Sequence, residues 1–211
     1  MPQVFRCILL TAIAALCHAQ GWEAGGQGGY GFAPSISVSN AGRSAAAGFS
    51  HGLAASAFLG QELYKNVEGE ISYTFRWAPV RLSSGSAHAS FAGHTHAAQY
   101  DVLIYTKPRE APLRPFVAIG GGVRVFRGTD WEPAYQPLQE FALLTKTTQI
   151  KPVFSLGVGI RKNYGRFFFR AEVRDYMSPF PAEVIAPARN SQYHGGWVHD
   201  IGPLVGFGRA F

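Results

Sequence analysis

The sequence predicts an all-β protein, specifically an eight-stranded antiparallel up-and-down transmembrane β-barrel. Apolar and polar residues alternate with period two in eight separate segments, which is the pattern of strands with two unlike faces. The connections between these segments are alternately long and short. The chain is 47% hydrophobic but only 15% charged, which is little charge for an ordinary soluble domain.

Residues 1–19 have the composition of a secretory signal peptide. Arg6 supplies a positive charge, residues 8–16 are apolar except for Thr11, and Ala19 is a small residue at the expected cleavage position. We therefore expect residues 20–211 to be exported and to form the barrel domain. The only two cysteines, Cys7 and Cys17, lie within the signal, so the exported part has no disulfide.

The eight alternating segments have lengths suited to membrane-crossing strands, for which roughly 9–11 tilted residues suffice. In chain order they are residues 22–32, 47–63, 67–77, 96–106, 114–126, 149–162, 166–176 and 198–211. The segment 67–77 is the clearest, because Ile71 and Tyr73 fall on one face while Glu70 and Arg76 fall on the other. The glycine-rich segment 22–32 would be a weak strand alone and is expected to depend on its neighbours.

The connections after the first, third, fifth and seventh segments are long, and the other three are short. This alternation is typical of an outer-membrane barrel with tight periplasmic turns and longer external loops. We expect exposed loops, with residues 78–95, 127–148 and 177–197 carrying any recognition. Aromatic residues expected at the two membrane interfaces are Phe49, Phe75, Trp77 and Trp197 at the loop ends, and Tyr64, Tyr164 and Phe211 at the turn ends.

The final residues alternate apolar positions up to a terminal aromatic residue. Val205, Phe207 and Phe211 resemble the C-terminal signal read by the barrel insertion machinery, although Arg209 departs from that pattern. With the eight segments and the alternating connections, the whole exported chain resembles the small outer-membrane β-barrels of the OmpA-like family, the "outer membrane protein beta-barrel domain". The resemblance implies a place in the outer membrane of a Gram-negative cell envelope, the insertion machinery as a partner, and a monomer.

If the apolar faces contact lipid, the polar faces collect in the barrel lumen. The charged residues on these faces are Glu68, Glu70, Arg76, Asp101, Arg124, Lys151, Arg161, Arg170, Glu172 and Arg174. The interior of an eight-stranded barrel is just wide enough for side chains to fill. We therefore expect a paired network that plugs the lumen, and a structural or surface-binding role.

Other functions stay open as alternatives. A narrow pore for small solutes or ions would prefer anions, because basic residues are in excess on the polar faces. A soluble lipocalin-like binding barrel would place the apolar face inside, and alternation alone does not say which face is inside. The formal net charge of +6 suits anionic lipopolysaccharide better than nucleic acid, because export argues against nucleic acid, but a charge without a dedicated partner is the simpler interpretation.

No catalytic, cofactor or metal site stands out. His88, His94 and His96 are of a type that binds zinc or copper, but histidines scattered in a loop are the simpler interpretation. The run of glycines at 120–122 lacks the helix and lysine of a phosphate loop, so we expect it to allow close packing.

An enzyme is a further alternative, because some eight-stranded barrels are lipid A hydrolases. His88 and Ser90 have the His–Ser spacing of that group, but no glutamate follows within the next segment. Asp200, His199 and His194 lie close in sequence, without a serine placed to complete a triad. We therefore expect no enzymatic activity and no cofactor.

Overall fold

The computed structural model describes residues 21–194 and 196–211, and the regular structure in them is entirely β-strand. The strands are β1 (Trp22–Gly31), β2 (Ile36–Asn40), β3 (Arg43–Phe49), β4 (Gly52–Tyr64), β5 (Val67–Trp77), β6 (Val80–Ser84), β7 (Ala87–Phe91), β8 (His94–Tyr105), β9 (Leu113–Arg127), β10 (Ala142–Leu144), β11 (Thr148–Tyr164), β12 (Phe167–Pro179), β13 (Ile185–Pro187), β14 (Gln192–His194), β15 (Trp197–Val198) and β16 (Ile201–Ala210). The predicted signal peptide and its cysteines lie outside the described residues. Within those residues, no helix is long and apolar enough to cross a membrane.

Eight of the strands close into an antiparallel barrel. Around the barrel they follow the order β1, β4, β5, β8, β9, β11, β12 and β16, and β16 pairs again with β1. Among these eight, each strand pairs with the next one along the chain, which is up-and-down topology. Closure leaves no unpaired edge, so the backbone polar groups of the wall are paired without water. The predicted fold class is confirmed.

Six predicted segments match the barrel strands closely, whereas 47–63 and 198–211 are each divided between two strands. Residues 67–77 are a single strand with the predicted bounds. Residues 47–63 are not, because the strand is interrupted between Phe49 and Gly52. There the Ser50 N–H donates to the Pro79 carbonyl at 2.7 Å, and the chain leaves the barrel wall.

The two faces of the wall differ sharply in polarity. Ile71 and Val205 point outward and are 62% and 66% exposed, whereas Glu70, next to Ile71, points into the lumen and is 0% exposed. An outward apolar surface with charged groups inside is the inverse of a lipocalin-like barrel. That soluble alternative is therefore wrong, since its apolar face would have to line the interior.

The long connections lie at one end of the barrel, which we call the loop end, and the short ones at the other, the turn end. At the loop end the connections form a second layer, the cap, which consists of β2, β3, β6, β7, β10, β13, β14 and the segments between them. The cap contains a five-stranded sheet in the order β14-β2-β3-β6-β7 and the two-stranded pair β10-β13. Its strands β3 and β6 continue the β4–β5 hairpin beyond the barrel wall.

The cap has its own apolar core, so the prediction of exposed loops is wrong for much of this region. The buried residues of this core are Ala33, Val38, Ala45, Ala47, Phe49, Ala78, Val80, Leu82, Ala89, Phe126, Leu138, Phe141, Ala142, Leu144, Phe180, Val184, Ile185 and Val198. Phe49 was expected at the membrane interface, but it packs against Phe126 with ring centroids 5.3 Å apart. Trp77 and Trp197 at the loop end, and Tyr64, Tyr164 and Phe211 at the turn end, are exposed aromatic residues.

Candidate functional site

The lumen contains ion pairs that cross the barrel from strand to strand. Arg170 on β12 donates to both carboxylate oxygens of Glu70 on β5, at 2.5 and 3.1 Å. These strands lie half a turn of the barrel apart, four places along its strand order. Arg174, also on β12, reaches Asp101 on β8 at 2.7 Å and Glu172 at 3.2 Å. The middle of the lumen is thus occupied by alternating guanidinium and carboxylate groups.

Asp101 is the most extensively hydrogen-bonded carboxylate in this middle layer. It accepts hydrogen bonds from Ser72 at 2.9 Å, from Ser155 at 3.0 Å and from Gln99 at 2.7 Å, in addition to Arg174. A buried carboxylate is tolerated when charge pairing and hydrogen bonds replace its lost hydration. Side chains from four strands, β5, β8, β11 and β12, therefore meet at one buried acid.

A second layer lies toward the turn end. Arg161 on β11 donates to Glu23 at 2.5 Å and to Glu68 at 3.4 Å. The acids come from β1 and β5, so this arginine also spans the barrel. Its guanidinium carbon lies 3.7 Å from the ring centroid of Phe168, a cation–π arrangement that adds to the pairing.

A third layer closes the lumen at the loop end, directly beneath the cap. Asp200 contacts Arg76 and Arg124, each at 2.5 Å. Arg76 also donates to the carbonyls of Gly31 and Ser50, at 3.1 and 3.0 Å, which joins this layer to the edge of the barrel wall. Arg76 and Asp200 thus connect the ion pairs of the lumen to the rim of the barrel wall, where the cap begins.

Positive and negative charges balance among the buried residues of the described chain. Six are acidic and six are basic: Glu23, Glu68, Glu70, Asp101, Glu172 and Asp200, with Arg76, Arg114, Arg124, Arg161, Arg170 and Arg174. Lys151 lies on the same face but is only half-buried, and it makes no ion pair with any described residue. The excess of basic residues that would favour an anion path is therefore absent from the buried set.

Sequence reasoning missed three charged members of the lumen, Glu23, Arg114 and Asp200, and its aromatic residues. Arg114 lies 3.7 Å from the ring centroid of Tyr105, and Arg170 lies 4.2 Å from that of Phe58. Glu23 stands in the glycine-rich first segment, where the alternation is weakest. Glu23 and the buried Gln27 both have odd numbers, so they lie on the same face of β1. That shared face is the signal that could have identified Glu23 as a lumen residue.

Small residues make room for these side chains. A β-carbon at Gly120 would overlap the Asp101 carboxylate, and one at Gly208 would overlap the Phe168 ring. The expected role of the glycine run in close packing agrees with this geometry. The cavity left beneath the cap has a volume of ≈ 20 Å³ and is lined by residues such as Thr74, Arg76 and Asp200, which leaves room for about one water molecule.

The structure separates the residues considered for catalysis. Asp200 is buried in the lumen, whereas His199 pairs with Asp175 at 2.7 Å on the outer face, and His194 pairs with the Ser39 hydroxyl at 3.0 Å. His88 and Ser90 were expected in a loop but lie in strand β7 of the cap, exposed and without a carboxylate partner among described residues. No Ser–His–acid triad is assembled within the described chain.

Potential metal ligands are grouped at one place in the described part of the chain. Ligand atoms of Glu23, Glu68 and Glu70 lie within 4.8 Å of one another. Each of these acids already has an arginine partner, Arg161 for Glu23 and Glu68 and Arg170 for Glu70, so arginine occupies the place that a metal ion would take. His94 and His96 lie together on the outer wall, and His88 lies apart from them in the cap sheet.

Comparisons with known proteins agree with the fold. No family model and no curated protein matches the sequence. The crystal structure of Neisserial surface protein A is similar over 90% of this chain and 97% of that one, with a TM-score of 0.55 and 9% sequence identity. The outer membrane protein AlkL, solved in lipid bilayers, is similar over 91% and 90%, with a TM-score of 0.53 and 14% identity. The resemblance to small outer-membrane barrels is thereby confirmed at the level of the fold.

Proposed function

We propose that this protein is an outer-membrane β-barrel with a closed lumen, and that it has a structural or surface-binding role carried by its cap. One observation carries the proposal: the ion pairs fill the lumen from the turn end to the cap, and the cap folds over them around its own apolar core. A barrel built in this way offers its outer surface and its cap, rather than its interior, to other molecules.

The two ends of the barrel differ enough to suggest an orientation. Three short turns join strands at the turn end, while the other four connections build the cap. In outer-membrane barrels the short turns are periplasmic and the long connections are external. The predicted signal peptide at residues 1–19 supports export, and the outward-facing Val205 and Phe207 with the terminal Phe211 support recognition by the insertion machinery. We assign the cap to the cell surface and expect a monomer, with lipopolysaccharide as its lipid neighbour.

The alternatives have less support. A small-solute pore would require the crossing ion pairs to separate, and breaking a buried pair costs about 3–5 kcal/mol. A lipid A hydrolase would require a nucleophile beside a base and an orienting acid, an arrangement that the described residues do not form. The proposal therefore includes no enzymatic activity and no cofactor.

Single-cysteine labelling tests the orientation and the surface display of the cap. Residues 20–211 contain no cysteine, so an introduced one is unique in the exported chain. We choose Tyr135→Cys in the cap, where the side chain is 73% exposed, and Lys107→Cys in a turn-end connection as the matched control. The reagent is a membrane-impermeant maleimide applied to intact cells and then to lysed cells.

The proposal predicts that Tyr135→Cys reacts in intact cells and that Lys107→Cys reacts only after lysis. Reaction of Lys107→Cys alone in intact cells would mean that the barrel is inserted the other way round. If neither variant reacts until lysis, the cap is not displayed at the surface and the proposed role is wrong.

A further inference from the structure

A row of polar residues crosses the outer wall at the loop-end rim of the barrel. Backbone pairing places Trp77 opposite His94, His94 opposite Arg127, and Arg127 opposite Thr148. Directly opposite residues on one face have β-carbons about 4.5–5.5 Å apart. An indole, an imidazole, a guanidinium and a hydroxyl therefore lie side by side on four consecutive barrel strands.

A second imidazole lies next to this row, on the side away from the cap. His96 lies two residues along β8 on the same face as His94, and their ring centroids are 5.1 Å apart. Phe75 packs against both rings, with centroid distances of 5.6 and 5.3 Å. The Tyr73 hydroxyl pairs with His96 Nδ1 at 2.6 Å. This contact holds the ring through Nδ1, so Nε2 is the ring nitrogen left to contact a ligand.

The charge around this patch is positive. Arg127 is exposed and forms no ion pair with a described residue. The facing positions on β5, β8, β9 and β11 hold no acid, and the charged groups on the cap segments that adjoin these strands are Arg81, Lys146, Asp130 and Glu132, all exposed. Of these acids, Glu132 accepts a hydrogen bond from the Lys146 backbone N–H at 3.3 Å.

The patch also lies at the level where a membrane would end. Below it the outward positions are apolar or aromatic, including Ile71, Tyr100 and Val123, and above it the wall gives way to the cap. Aromatic residues such as Trp77 mark the headgroup level of a bilayer. Lipid phosphates lie at that level, and a guanidinium binds phosphate through two parallel hydrogen bonds.

We propose that Arg127, His94 and His96 form a binding site for the phosphate group of a membrane lipid. The guanidinium supplies a permanent positive charge, and each imidazole supplies a ring N–H donor beside it. The site rests on the proposed membrane location, but it does not depend on which leaflet faces the cap.

The test is native mass spectrometry of the purified chain in neutral detergent micelles, titrated with phosphatidic acid at neutral pH. Diacylglycerol, the same lipid without its phosphate, is the ligand control. Arg127→Gln removes the permanent charge, and the double variant His94→Phe, His96→Phe removes the ring N–H donors while keeping two aromatic rings. Arg209→Gln is the matched protein control, because it removes an exposed arginine at the turn end of the barrel.

The wild type is expected to bind phosphatidic acid several-fold more tightly than diacylglycerol. Arg127→Gln should weaken phosphatidic acid binding about fivefold, the factor typical of one basic residue near an anionic lipid. The histidine variant should also bind phosphatidic acid more weakly than the wild type, with Arg209→Gln unchanged. Retention of the unboiled gel mobility shows that each variant is folded.

Three results would overturn the inference. They are equal binding of phosphatidic acid and diacylglycerol by the wild type, equal loss in Arg209→Gln and Arg127→Gln, and displacement of the lipid by inorganic phosphate at equal concentration. Because the measurement uses micelles, it is independent of the labelling test. A barrel inserted the other way round would leave this binding intact and change only the leaflet that supplies the lipid.

Discussion

Arg170 and Glu70 form a two-point ion pair through the middle of the barrel, although 100 residues separate them in sequence. The pair joins strands on opposite sides of the wall and is almost completely shielded from solvent. Such a pair fixes the distance across the lumen. Whether it stabilises the fold depends on the loss of hydration that burial imposes on both groups, so the informative change removes one partner only.

Glu70→Gln should destabilise the folded barrel by about 3–5 kcal/mol, because it leaves the Arg170 guanidinium buried without its main counter-charge. The measurement is the urea midpoint of unfolding in lipid bilayers. The matched control is Glu62→Gln, which breaks the pair between Glu62 and Arg109 at 2.6 Å, where both side chains are more than one-third exposed. The control should cost less than about 1 kcal/mol. If Glu70→Gln and Glu62→Gln reduce the free energy of unfolding equally, burial in the lumen does not determine the cost of breaking an ion pair.

Gly120→Ala should reduce the yield of folded barrel or destabilise it by about 1–3 kcal/mol, the usual cost of overpacking. Its β-carbon would enter the space of the Asp101 carboxylate and come within 2.9 Å of the Ser155 hydroxyl. Gly121→Ala is the control, since its β-carbon would meet its nearest neighbour, the Val153 carbonyl, at 3.6 Å. Folding is followed by the mobility difference between unboiled and boiled samples on a gel. A normal yield and urea midpoint for Gly120→Ala would contradict the close packing inferred for the lumen.

Phe141→Ala should weaken the cap by about 3–5 kcal/mol, because the ring is 0% exposed in the apolar core of the cap. Phe141 lies outside the barrel strands, whose pairing closes the wall independently of the cap sheets, so heat-dependent gel mobility should persist. Limited proteolysis should cut the variant within residues 128–147 faster than the wild type. Trp131→Ala, which truncates an exposed side chain in the same segment, should be cut at the wild-type rate. Loss of the barrel itself in Phe141→Ala would show that cap and wall fold as one unit.

The barrel could be predicted from the sequence because the residue pattern within each strand is enough to identify that strand and its two faces. In β5, and in β12 as far as Val173, every second residue is apolar, and a period of two places those residues on the lipid face without knowledge of any partner. The lumen charges follow by elimination, as Glu70 and Arg170 illustrate. Which acid meets which base does not follow, because the barrel stagger that brings those two together is set by the whole closed wall.

The cap could not be predicted in the same way. Its strands are short, such as the three residues of β10 and β13, and they pair across distant connections. The alternation of β3 continues without a break in pattern into β4, so the sequence predicts one continuous strand across Ser50 and His51. At this junction only the pairing partners change, because β3 pairs with β2 and β6 in the cap and β4 pairs with β1 and β5 in the wall. Such a change leaves no mark in the local sequence pattern.

The most direct test of the closed lumen is the conductance of the purified protein in a planar lipid bilayer, with a general porin inserted under the same conditions as the positive control. The ion pairs from Arg161 to Asp200 and the cap above them predict no discrete conductance steps at either polarity. Reproducible steps from the wild-type protein would contradict the account, because they would require an ion path through the network that the paired charges fill.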